Sequence, residues 1–289
     1  MAKPTNIELP GKIRIPIVFE NRTLLIVDKP AGWVLGPDGP IGKRGNLQIA
    51  VESSIGAGAF WARSRSLKFL RFVHRLDADT TGLLMFSKSF GGLEPLSDLF
   101  AERKVEKRYL AVVDGVPDEC HWTCTLPLGP DQEHNGRHRV DKENGRESET
   151  RFEVLASIPG RTLIACEPLT GRSHQIRIHL AEAGYPIVGD PLYGRGYWGD
   201  HLGLRSIFLG LLDPYLKKQV RVIAPVAEFL EQFGFAKNAA EPVLIALKKA
   251  AEASKPPKPS AKPSPEIKTP APAAAAAKPK RVRRFTPPV

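Results

Sequence analysis

The chain is poor in the features that mark secreted, membrane-spanning and metal-binding proteins. Its 289 residues contain three cysteines, Cys120, Cys124 and Cys166, which cannot all pair within the chain. The opening MAKPTNIELPGKIRIPIVFE has no apolar signal core, and no apolar run approaches the length needed to cross a bilayer. A soluble protein in a reducing, cytoplasmic setting, with no membrane partner, is the expectation. No glycine-rich phosphate loop follows a strand in the required register. Gly196 and Gly199 around Trp198 read as loop, so no nucleotide cofactor is indicated. No internal repeat is present. Cys120, Cys124, His134 and His138 come near a zinc-finger spacing, but the spacer is short and Pro127 and Pro130 interrupt it. The cysteines read instead as reduced residues on a strand, and the histidines as loop groups able to touch phosphate. No metal site is expected.

What is present is enough apolar material, 42% of residues, for one large domain or two modest ones. The formal charge is +11, unevenly placed. Residues 252–289 carry nine Lys or Arg against two Glu and so hold +7 of it. Proline, alanine, lysine and serine dominate there, ahead of a basic KPKRVRRF, and such a segment cannot bury enough surface to offset its chain entropy. It is expected to be disordered and to seek polyanions. The body, mildly basic, suits nucleic acid or another anionic surface.

Residues 1–16 read as a mobile lead-in, residues 17–235 as the main folded domain, and residues 236–251 as a region ending in a C-terminal helix over 240–251. Strands are expected over 23–29 (TLLIVDK), 82–86, 107–114 (KRYLAVVD), 149–156 and 162–167, with short ones over 207–212 and 219–224. Residues 47–63 read as a helix weakened by Gly56 and Gly58. Leu93, Leu96, Leu99 and Phe100 recur at helical spacing. Polar, glycine-containing residues 127–147 suggest a long hairpin loop. Ile176, His179, Leu180 and Ala183 mark a helix over 173–183 that stops at Gly184.

Two stretches carry chemistry. The first is FVHRLDADTTGLLMFSK, residues 72–88, where His74, Arg75, Asp77 and Asp79 stand within a span of six residues just ahead of a core strand. Carboxylates placed there are costly to bury unless paired; a solvated turn with Asp77 accepting bonds from Thr80, Thr81 or backbone is the plainer reading. The second is LTGRSHQIRIHLAEAGYPIVGDPLYG, residues 169–194. Its helix N-terminus, with Arg172, Ser173, His174 and Gln175, suits a phosphate through free N–H groups and the dipole; an ordinary capped helix is the alternative.

IVDKPAGW, HRLDADTTGLLMFSK, KRYLAVVDG and LTGRSHQIRIHLAEAGYPIVGDPLYG occur in this order, and together they resemble the signature segments of the RluA-type pseudouridine synthases, over residues 24–190. The resemblance implies an α+β fold, with a mixed, mainly antiparallel central sheet flanked by helices and loops around a cleft. It implies an isomerase that turns uridine in structured RNA, a ribosomal or transfer RNA stem-loop, into pseudouridine without a cofactor, as a monomer. Asp77 would be the catalytic aspartate and Arg177 its ion-pair partner. Tyr109 would stack on the flipped uracil and serve as a candidate for the later proton removal. Arg75 would help extrude the nucleotide, and Ile187 would form part of the apolar wall. His74, Thr81, Arg172, His174 and Gln175 complete the expected substrate contacts.

The residue types suit that reaction. An ionised carboxylate must either attack the anomeric carbon or draw off the neighbouring proton, and the resemblance leaves both open. A partner arginine favours its charge in a pocket dry enough to deny water the severed sugar. An aromatic face holds the free base without fixing its rotation, and a base that must leave the stack favours loops and bulges. Three departures stand out: Thr81 for the usual serine, Leu209 within RSIFLG for the usual histidine, and no S4-like module ahead of residue 23. Leu209 and the basic tail leave room for an RNA-binding protein on an inactive fold. A hydrolase using Asp77 and Asp79 as a carboxylate pair is the third reading, and free uracil among the products would mark it.

Overall fold

Apolar strands that lack alternation need cover on both faces. In the computed structural model, which describes residues 3–36, 45–195 and 201–253, a broad sheet meets that need. The chain runs through β1 (Asn6–Leu9), β2 (Ile13–Glu20), β3 (Leu24–Lys29), α1 (Leu47–Gly56), α2 (Phe60–Arg63), β4 (Arg71–Phe72), β5 (Thr81–Ser87), α3 (Phe90–Ala101), β6 (Glu106–Asp114) and β7 (His121–Cys124). It continues as β8 (Leu128–Pro130), β9 (His138–Val140), β10 (Thr150–Ile158), β11 (Arg161–Pro168), α4 (Gln175–Glu182), β12 (Leu204–Leu212), β13 (Gln219–Ile223), α5 (Ala227–Gln232) and α6 (Glu241–Ala253). Eleven strands form one sheet in the order β1-β2-β3-β5-β12-β6-β11-β10-β7, with β4 beside β5 and β13 beside β12. The pairing of β12 with β5 is parallel and the other named ladders are antiparallel. This is the α+β architecture, with its mainly antiparallel sheet, that the motifs imply.

Side chains of the central strands divide by parity between two cores. Leu25, Val27, Leu84, Phe86, Tyr109, Ala111 and Val113 face one side, with Trp61, Ile176, Leu180 and Ile187. Leu24, Ile26, Leu83 and Met85 face the other, beneath Leu96 of α3, and Leu110 and Val112 lie there under Phe229 and Leu247 of α5 and α6. The parallel contact is tight. Thr81 and Gly82 pair with Arg205 and Ser206, and a Cβ on Gly82 would lie 2.1 Å from the Ser206 carbonyl oxygen, at a φ of +105°. Only glycine fits where the strand leaves the catalytic turn.

The structure departs from expectation at several places. Residues 1–16 contain a strand pair in which β1 and β2 join through Pro10–Lys12, because Ile7, Leu9 and Ile15 alternate into the core. The helix expected over 47–63 is two, broken between Gly56 and Phe60, where Gly58 takes a φ of +68°. The expected loop over 127–147 carries its own small β8–β9 ladder. Residues 254–289 and the glycines beside Trp198 lie outside the described residues. No helix among the described residues is long and apolar enough to cross a membrane.

Candidate active site

The turn between β4 and β5, residues 73–80, is fixed from below by a lysine. Lys29, fully buried at the end of β3, donates to the carbonyls of Pro30, Asp77, Ala78 and Thr80 at 3.2, 3.2, 2.7 and 3.0 Å. The Gly32 N–H adds a bond to the Ala78 carbonyl at 2.9 Å. Burial pulls the Lys29 ammonium down to about 8, against the opposing charges of Asp77 and Asp79. A buried cation that donates to four turn carbonyls holds the segment bearing Asp77 in one conformation.

Above that turn α4 presents Arg177, which bridges two carboxylates. Its Nε and Nη2 donate to Asp190 Oδ2 and Oδ1 at 2.8 and 2.7 Å, and its Nη1 donates to Asp77 Oδ2 at 2.9 Å. Asp190 is shut from solvent, whereas the Asp77 side chain is 26% exposed. The N–H groups of Leu192 and Tyr193 also donate to Asp190. Burial opposes the charge on both members, yet the contact with Arg177 holds the Asp190 carboxyl below the usual range. Burial likewise works against Arg177, and the two carboxylates outweigh it and raise its pKa. One edge of the planar fork is thus spent bidentately on Asp190, leaving Nη1 to aim at Asp77.

Only one oxygen of Asp77 is held. Among the described residues Oδ1 accepts no hydrogen bond; His174 Nε2 stands 3.9 Å away. Tyr193 Oη donates to the His138 carbonyl at 2.9 Å and lies 2.8 Å from His174 Nδ1. With its own proton committed, that hydroxyl accepts a hydrogen bond from the His174 Nδ1–H, so in the neutral ring Nε2 faces Asp77 without a proton. Burial lowers the His174 pKa, against the opposing charge of Asp77. Arg177 and Arg137 lie over the Tyr193 ring at 5.2 and 5.4 Å. The β8–β9 arm therefore reaches the site through His138, whose N–H donates to Tyr193 Oη at 3.0 Å.

Tyr109 lies on β6, opposite Ser206 and Cys166. Burial, with the charge of Asp77 nearby, pushes its hydroxyl up to about 12. Ile187 is buried in the same core and bridges to Val113. Arg75 is exposed, has no hydrogen bond or ion pair among the described residues, and lies near Gly36. The segment around Asp77 thus brings together a half-held carboxylate, the buried Tyr109 ring whose hydroxyl feels its charge, and, on the same turn, the exposed Arg75 side chain.

Some expected contacts are committed elsewhere. His74 Nε2 accepts the Met85 N–H at 3.0 Å and its ring stacks on Phe100 at 4.4 Å. Burial lowers its pKa to about 3. Gln175 is buried; it accepts from Thr170 Oγ1 and the Arg172 N–H and donates to Glu149 and Thr150. Both side chains brace the scaffold. Arg172 donates from Nε to the Glu147 carbonyl, and Thr81 sits in the β5–β12 pairing. Leu209 is fully buried between α3 and β13 in an apolar cluster, so that departure is a core position. Cys120 is exposed, Cys124 half-buried, and His134 pairs with Asp131 at 3.1 Å while His138 joins Tyr193. Among the described residues no group of three or more His, Cys, Asp or Glu is placed to hold a metal.

Lys29, Asp190, Tyr193 and His138 belong to this site and were not singled out as catalytic or substrate-contacting from sequence, although His138 was read as a phosphate-touching loop group. The signal for the first two was present: a lysine closing an apolar strand in IVDKP, and an aspartate directly after the apolar IVG.

A family model described as RNA pseudouridylate synthase matches residues 23–182. The chain is 34% identical over 242 residues to the ribosomal large subunit pseudouridine synthase C of Vibrio vulnificus, covering 80% of this chain and 72% of that protein. It is 38% identical over 189 residues to the ribosomal large subunit pseudouridine synthase D of Nitrosomonas europaea, covering 63% and 51%. Among solved structures, human RNA pseudouridylate synthase domain containing 1 superposes with a TM-score of 0.62 at 25% identity, over 81% of this chain and 94% of that one.

Proposed function

Since the chain belongs to the RNA pseudouridylate synthase family and is an isomerase that converts uridine in RNA to pseudouridine, we propose that Asp77 performs the chemistry at the ribose, with Arg177 as its partner and Tyr109 beneath the everted base. One observation carries this reading: Asp77 has one oxygen fixed by Arg177 at 2.9 Å and the other unbonded. Fixing Oδ2 leaves Oδ1 pointing its lone pairs at a substrate, whether toward the anomeric carbon or the neighbouring proton. Because Arg177 is itself held by Asp190, the carboxylate does not need to reorganise as the sugar loses its base.

Tyr109 supplies the ring that holds the freed uracil as it turns, and its hydroxyl stays protonated across the working range, so its part in the first steps is as surface and donor. Ile187 closes the apolar side. Arg75 reaches from the rim to fill the stack that the nucleotide leaves, and Arg172 and His174 face the flanking backbone. The relatives named for the ribosomal large subunit favour ribosomal RNA as the substrate. The protein acts without a cofactor and as a monomer.

The test is tritium release from RNA labelled at carbon 5 of uridine, with pseudouridine mapped in total RNA with and without the gene. Release together with loss of a ribosomal pseudouridine in the deletion strain supports the assignment. A lost modification confined to transfer RNA would move the substrate, and free uracil among the products would make the protein a hydrolase.

A further inference from the structure

The end of the sheet opposite Asp77 carries a second cluster that the reaction does not use. β5 runs seven residues from Thr81, beside the catalytic turn, to Ser87, about 20 Å at an extended rise. Four loops meet beyond Ser87. Asp213, fully buried, accepts from Asn21 Nδ2 and from the Tyr215 and Leu216 N–H groups at 2.9–3.0 Å, and also from the Thr23 hydroxyl. Tyr215 Oη donates to the Gly91 carbonyl at 2.6 Å. Phe69 meets Phe90 edge-on, with ring centroids 6.1 Å apart. The cluster is therefore held in place by hydrogen bonds and ring contacts across all four loops.

Its surface is unusual in two respects. Phe90 is 79% exposed and Tyr215 49% exposed, which leaves large aromatic area in water with no folding benefit. Around them Arg22, Lys68, Arg71, Lys217 and Lys218 are exposed, and none of the five side chains has a hydrogen bond or ion pair among the described residues. By contrast Lys88, in the same cluster, is paired with Glu20 at 2.7 Å. Glu94 on α3 is the acid nearest in sequence to Phe90. Exposed rings interleaved with unneutralised cations match the chemistry of a single strand, which offers base faces to rings and phosphates to cations. A duplex keeps its base faces stacked on one another and so has none to offer the rings.

We propose that this surface, centred on Phe90 and Tyr215, binds single-stranded RNA, and that it grips a segment of the substrate remote from the uridine in the cleft. The reading of the chain as an RNA-modifying enzyme supplies only the kind of polymer. Charge complementarity and the exposed rings select the strand.

The experiment measures binding of a short labelled oligouridylate by fluorescence anisotropy at several salt concentrations, using the full chain. Phe90→Ala should weaken binding by roughly 5- to 100-fold, as expected when one stacked base is lost. Lys217→Glu with Lys218→Glu should flatten the salt dependence by about 0.7 in log–log slope for each cation removed. Both variants should melt like the parent and release tritium from a minimal hairpin at the parent rate once RNA is saturating. Unchanged affinity and slope would overturn the proposal. So would an equal loss of polyglutamate binding, which would make the patch a general anion surface or an acidic-protein dock. Failure of the enzymatic reading would appear separately, as no tritium release from the unaltered protein.

Discussion

The two ends of β5 handle charge in opposite ways. At the Thr81 end Lys29, Arg177 and Asp190 are buried, and each bonds to a partner with defined geometry. At the Ser87 end Lys68, Arg71, Lys217 and Lys218 are exposed and, among the described residues, unpaired, around the buried Asp213 and the paired Lys88. Burying a charge demands a partner and yields a fixed direction, which chemistry needs. Leaving it in water costs nothing and keeps it available to a long polyanion. One end is built to aim a single carboxylate, and the other to hold a polymer.

The largest effect expected is at the buried end. Arg177→Met leaves Asp190 without its counter-ion in a site closed to solvent, so unfolding in denaturant should show a loss of about 3–5 kcal/mol, together with loss of turnover. A loss under 1 kcal/mol would mean that the bidentate pair is not the anchor described. Lys29→Met comes next. It strips the donor from the carbonyls of Pro30, Asp77, Ala78 and Thr80 and should cost about 1–3 kcal/mol, with a lower kcat.

That lysine also gives the comparison a pH signature. Lys29 and Lys107 are each held down to about 8 from 10.5. Between pH 8 and 10.5 the unfolded chain therefore carries protons that the folded chain has released, and stability rises with pH across that window. Lys29→Met should remove part of the rise; an unaltered slope would show that Lys29 is not the titrating group. The smallest effect concerns the basic tail. Removing residues 252–289 should lower RNA affinity and flatten its salt dependence while leaving single-turnover chemistry intact, and an unchanged slope would count against that role.

The sequence makes the centre of the sheet plain and leaves its supports obscure, for a physical reason. Residues 82–86 and 107–114 are apolar runs whose local pattern already demands burial, and they lie within β5 and β6. Arg177 was matched with Asp77 through the family motifs rather than through spacing, since 100 residues separate them. Lys29 is 48 residues from Asp77, and nothing local shows that its ammonium closes the catalytic turn. Gln175 and His74 show a further limit, because a polar residue beside a motif reads alike whether it faces a ligand or the scaffold. The β1–β2 hairpin has a signal, the alternation of Ile7, Leu9, Ile13 and Ile15, but it spans few residues around a Pro-Gly turn.

The central claim is that the half-held carboxylate of Asp77 acts on the ribose. Single-turnover tritium release from carbon-5-labelled RNA by Asp77→Asn, compared with the unaltered protein at equal saturation, tests it most directly. The account predicts RNA bound with near-parental affinity and no release above background. Release at a rate comparable to the parent would contradict it and remove Asp77 from the reaction.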